Sequence, residues 1–108
     1  FPAMVDAAAD HGIGLPQVSA WMSAGPARIA GVAGKGVLEA GAAADLIWYE
    51  PGRYIAVDGS RLAHRNKLTA YTGRVLSGSV RRTVLAGKTV FDGHDLAEPA
   101  GRLLRRDG

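Results

Sequence analysis

The sequence predicts an α+β chain with its helices first and its strands second. Three observations carry this. Residues 1–34 hold nine alanines and only three charged side chains, Asp6, Asp10 and Arg28. Residues 35–108 hold twelve of the thirteen basic residues and eight of the ten acidic ones. The second part also carries β-branched and aromatic runs, cut at intervals by Gly and Pro, which is strand punctuation.

Residues 3–11 are rich in good helix formers. Gly12 suits the left-handed position just past a helix end. Pro16 fits the first turn of a second helix, where its missing N–H costs nothing. Val18, Trp21 and Met22 then share a face at i, i+3 and i+4. Gly25 is expected to stop that helix, and Pro26 to open a short third one that Gly31 ends. Beyond Lys35, Val37-Leu38-Glu39 between Gly36 and Gly41 reads as a short strand and turn. Asp45 to Tyr49 is a continuous apolar run, so Leu46, Ile47 and Trp48 are expected in a buried strand. Arg53 to Val57 alternates like a half-buried strand. Residues 60–73 look irregular. Ser79 to Ala86 is a further strand, and Gly87-Lys88 a hairpin turn into Thr89-Val90-Phe91. Residues 92–108 read as a tail.

Composition bounds the function. At 108 residues there is room for one domain. With 47% hydrophobic and 21% charged residues the chain is globular. The absence of cysteine excludes disulfides, thiolate metal sites and a cysteine nucleophile. No apolar run approaches the ~20 residues of a membrane span, and no signal-peptide pattern opens the chain. A net charge of +3 is mildly basic and does not by itself call for nucleic acid. The chain opens Phe1-Pro2 without an initiator Met, and the expectation is a piece of something longer.

The chemistry-bearing residues form no assembled site. His11, His64 and His94 lack the spacing of a metal pair. Asp92 and Asp95 lie close in sequence, in a Gly-rich segment that reads as a solvated turn. Gly34-Lys35-Gly36 lacks the rest of a phosphate loop and reads as a turn. The basic stretch His64-Arg65-Asn66-Lys67, between Arg61 and Tyr71, reads as a solvated face or a subunit contact.

Four motifs taken in order change the reading. They are WMSAGPARIAGV (21–32), KGVLEAGAAADLIWYEP (35–51), HRNKLTAYTGRVLSG (64–78) and VRRTVLAGKTVF (80–91). Together they resemble the C-terminal portion of an allantoinase-like cyclic amidohydrolase, of the superfamily that includes dihydroorotase and the hydantoinases. HRNKLTAY with Gly73 is the more discriminating part. Ala70 departs from the motif, which normally has Pro before Tyr71.

The resemblance implies a (β/α)8 metal-dependent hydrolase barrel beside a small β-sandwich. Residues 1–34 correspond to the last barrel helices, 35–91 to C-terminal sandwich strands, and 92–108 to the C-terminal tail. The apolar stripes of residues 1–34 (Met4, Val5, Val18, Trp21, Met22, Ile29) are then expected to pack on barrel strands, and to remain an exposed patch without them. The implied reaction opens the cyclic amide of allantoin to give allantoate. The implied cofactors are two divalent metals, usually zinc in this family, bridged by a carboxylated lysine and held by histidines and an aspartate. Such metals supply hydroxide at neutral pH and polarise the carbonyl. By the resemblance those ligands lie upstream of Phe1. None of the three histidines matches one, so this chain is expected to hold no catalytic residue, no metal and no activity alone.

One substrate contact is carried over: Gly25, ahead of Pro26, stands where the family offers main chain to the cyclic substrate. The implied partners are the remainder of the amidohydrolase chain, a small cyclic ureide and further copies in a homo-oligomer, with no nucleic acid and no membrane. The implied location is cytoplasmic. Two alternatives stand beside this: a dihydroorotase, hydantoinase or dihydropyrimidinase of the same superfamily, and an autonomous basic binding module. Scattered charges and 6% aromatic residues speak against the second.

Overall fold

A computed structural model describes residues 1–104. Residues 105–108 of the expected tail lie outside the described residues. The order is helical then extended, as the charge and alanine distribution predicts. Helix α1 spans Pro2–Ala9, α2 Leu15–Ser19 and α3 Gly25–Ala30. Strands β1 (Leu46–Ala56), β2 (Val75–Leu85) and β3 (Lys88–Phe91) form one antiparallel sheet in that order.

Helix α1 starts with Pro2 in its first turn, where no N–H is needed. Beyond its end Gly12 takes φ 69°, and the Ile13 N–H donates to the Ala8 carbonyl at 2.9 Å. That is the left-handed closure expected at this glycine. Gly31 closes α3 in the same way, with φ 68° and the Val32 N–H on the Ala27 carbonyl at 3.0 Å.

Gly25 does not stop a helix. Leu15 to Ala30 is one unbroken run, with a π-turn at Ala20–Ala24 joining α2 to α3. Pro26 supplies the reason. It has no N–H for the carbonyl four residues back, and its ring crowds that carbonyl. A wider turn ahead of it relieves the crowding without ending the helix. Gly25 itself is helical (φ −59°, ψ −57°) and donates to the Ala20 carbonyl, five residues back.

The sheet also departs from expectation in three places. Val37-Leu38-Glu39 forms no strand. A strand needs a neighbour for its backbone groups, and none of the described strands pairs with this stretch. Pro51-Gly52 does not separate two strands. Pro51 pairs with Gly78 and Ile55 with Leu76, so three residues of β1 bulge opposite Ser77. The hairpin turn is Ala86-Gly87, one residue earlier than Gly87-Lys88. Leu85 pairs with Lys88, and both turn residues have positive φ, 48° and 79°, as a two-residue loop matched to strand twist requires. The expected tail also begins as structure: Leu96 bridges back to Phe91, and the Ala97 N–H donates to the Val90 carbonyl at 2.9 Å.

Leu46, Ile47 and Trp48 lie in a strand, but not in a core. They are exposed, Trp48 by 66% and Ile47 by 46%. A continuous apolar run belongs to a strand covered on both faces. Here helix α1 packs against β2, and none of the described residues forms a layer that buries Leu46 to Trp48. The buried apolar set among the described residues is Ala8, Val18 and Leu76. The radius of gyration is 15.1 Å, against roughly 13 Å for a compact domain of this length. Of the stripe expected to be left exposed on the helical half, Met4, Trp21, Met22 and Ile29 are exposed, but Val5 is half-buried and Val18 is fully buried.

Candidate functional site

The sequence-predicted contact, Gly25, lies in a cleft between the helical run and the loop after it. The cleft has a volume of about 550 Å³ and is lined by Gln17, Trp21, Gly25, Arg28, Lys35 and Val37, among others. The π-turn sets its wall. Because the Gly25 N–H is engaged with Ala20, the main-chain group it can still offer is the carbonyl oxygen, which has two lone pairs. A Cβ at Gly25 would stand 3.2 Å from the Ala20 carbonyl oxygen, so this tight spot favours glycine. The facing loop is tied down by an ion pair between Lys35 and Asp45. That pair, with the Ala86 N–H next, holds the Asp45 carboxyl below the usual carboxylate range. Lys35 is thus part of a structural tie, and Gly34-Lys35-Gly36 is a turn packed on the helix.

A second polar cluster lies under α1. The Ser77 N–H donates to Asp6 Oδ2 at 3.0 Å, and the Ser77 hydroxyl also bonds that carboxylate. Phe1 stands edge-on to Tyr49, with ring centroids 5.1 Å apart. The Tyr49 ring lies across Gly78, where any side chain would collide with it. Tyr49 Oη and Ser79 Oγ are buried without a hydrogen-bond partner among the described residues. Burial first, and the Asp6 charge second, push the Tyr49 phenol up. Sequence reading missed this cluster. Asp6 and Ser77 are 71 residues apart, and no spacing signals such a contact. The cluster joins helix to sheet.

The histidines do not converge. His11 is exposed past the end of α1, and His94 is exposed in the turn after β3. His64 sits in the 58–73 loop with Nε2 buried and without a hydrogen-bond partner among the described residues. Asp92 and Asp95 form the turn expected of them: Asp92 Oδ1 accepts from the His94 N–H at 3.0 Å and the Asp95 N–H at 2.9 Å. These bonds hold Asp92 below the usual range. The basic stretch 64–67 lies on an exposed loop.

No family model matches the chain. Individual proteins do. The chain is 43% identical over 98% of its length to an allantoinase of Streptomyces avermitilis, of which it covers 24%. It is 40% identical over 96% of its length to an allantoinase of Rubrobacter xylanophilus, covering 23%. An allantoinase of Arabidopsis thaliana is 36% identical over 86% of the chain. The chain is a C-terminal portion of an allantoinase-like protein. It spans about a quarter of the length of the first two relatives.

An allantoinase-like family carries an expectation of metal, and the residues present here do not fit it. Among the described residues no three His, Asp or Glu side chains gather where they could hold an ion. No catalytic step is therefore derived through a metal in this chain. No helix of the described residues is long and apolar enough to cross a membrane.

Proposed function

We propose that this chain is the C-terminal part of an enzyme whose complete form hydrolyses the cyclic amide of allantoin to allantoate. The observation that carries this is identity to allantoinases along nearly the whole chain. Residues 1–34 are the last helices of the (β/α)8 barrel, residues 35–91 the C-terminal strands of the β-sandwich, and 92–108 the tail. The exposed apolar residues on both halves support this division. Met22 and Ile29 on the helices and Leu46 and Trp48 on β1 are positioned to be covered by the remainder of the chain. Two divalent metals, zinc in this reading, and the groups that hold them belong to that remainder. Gly25 contributes to the pocket through its carbonyl, and Arg28 and Trp21 line the same cleft. A cytoplasmic setting goes with this reading.

The experiment is expression of the full parent enzyme, and of this chain alone, with an assay of ring opening. The parent with zinc should open allantoin, and the 108-residue chain should not. A parent that opened dihydroorotate or a dihydropyrimidine but left allantoin intact would overturn the substrate assignment.

A further inference from the structure

Among the described residues, the cleft at Gly25 holds a guanidinium without a counter-ion. Gln17, Trp21, Gly25 and Arg28 line it from successive turns of the helical run, and Lys35 and Val37 line it from the loop that follows. No described Asp or Glu lines it. Its two cations differ in what they do. Lys35 is held by Asp45. Arg28 is exposed and in no ion pair among the described residues; the other pairs join Arg53 and Arg81 to Glu50.

The side chains on the helical wall define a ligand chemistry. The Arg28 guanidinium presents a planar fork of N–H groups, which matches the two oxygens of a carboxylate. The Gln17 amide both donates and accepts, so it can pair with a ureido group, whose carbonyl and N–H groups do the same. Between them in the run, Trp21 adds a flat ring face and one N–H donor. The cleft volume of about 550 Å³ falls within the range of roughly 300–1,000 Å³ typical of small-molecule sites.

We propose that this cleft binds the ring-opened product, a ureido carboxylate, with Arg28 holding the carboxylate and Gln17 a ureido group beside the Trp21 ring. The inference rests on the reading of the parent as an allantoin hydrolase. Ring opening adds water across the amide C–N bond. The carbon takes the hydroxyl, the nitrogen takes the hydrogen, and the new acid ionises. The closed ring has no carboxylate, so Arg28 distinguishes product from substrate. An unpaired guanidinium in a cleft without acids therefore makes the site selective for the anion that the reaction creates.

The test is binding to the 108-residue chain, followed by tryptophan fluorescence. The chain has two tryptophans, and Trp48→Phe leaves Trp21 as the reporter. Allantoate should change its emission saturably, and should bind more tightly than allantoin or acetate. Arg28→Met should weaken allantoate binding roughly tenfold or more, the loss expected for a hydrogen bond to a charged group. Arg28→Lys keeps the charge without the fork and should fall between the two; circular dichroism checks that each variant folds. In the parent enzyme, Arg28→Met should raise the inhibition constant of allantoate more than the KM of allantoin. Allantoin or acetate binding as tightly as allantoate, allantoate binding that Arg28→Met leaves unchanged, or no saturable binding would overturn the proposal. Whether the parent opens allantoin tests the underlying reading, and allantoate binding to the chain tests Arg28, so the two failures are separate.

Discussion

The Asp6 carboxylate accepts the Ser77 amide at 3.0 Å and ties the first helix to the middle strand of the sheet. The bond falls opposite the bulge in β1, where three residues stand against Ser77 alone. It is also the main polar link between the helical and extended halves, since the other side-chain ties are local or join the 35–45 loop to itself and to the hairpin turn.

Removing that link should loosen α1. Asp6→Ala is expected to cost about 2 kcal/mol, because it strips a charged acceptor from a part-buried amide and hydroxyl. Ser77→Ala should cost less, since the amide keeps its bond. Urea unfolding of both variants checks the order; equal losses would mean that the hydroxyl, not the amide, carries the link.

Truncating Trp48 should matter little in this chain. At 66% exposure it has little packing to lose. Trp48→Ala is expected to cost below about 1 kcal/mol, against the 3–5 kcal/mol typical of a buried aromatic. Iodide should quench its fluorescence readily. In the complete parent both results should reverse if that face is covered.

The hairpin turn is improvable. Ala86 sits at φ 48°, where its Cβ is crowded. Asn tolerates that conformation, and Asn-Gly is the favoured pair for this turn. Ala86→Asn should stabilise the chain by about 0.5–1 kcal/mol. Ala86→Val should destabilise it, and thermal unfolding of the two variants reads both signs.

Acid should open the same turn. The Lys35 pair, then the Ala86 amide, lower the pKa of Asp45 in the folded chain. A group whose folded pKa is depressed stabilises the fold above its unfolded value. That contribution is lost as pH falls through the folded value. The loss should therefore appear below about pH 4, under the ordinary carboxylate value. Amide exchange at Ala86, whose N–H lies 2.8 Å from Asp45 Oδ1, should lose protection there relative to the intrinsic rate. Asp45→Asn should remove that pH dependence.

What the sequence determined by itself was local. The helix ends at Gly12 and Gly31, the strand at Leu46 to Tyr49, the hairpin near Gly87 and the order of helices before strands all follow from residue type and spacing. The four motifs also placed the chain among allantoinase-like proteins. Tertiary structure decided what has no local cause. Whether Trp48 is covered depends on a layer that this chain does not bring, so the apolar run specified a strand without specifying its burial. Pro26 was compatible with a helix stop or a helix accommodation. The π-turn emerged only because the run continues to Ala30. Asp6 met Ser77 because the packing of α1 on β2 brought them together. Contacts across 71 residues arise from how the sheet and helices stack, and no periodicity in a single chain encodes them.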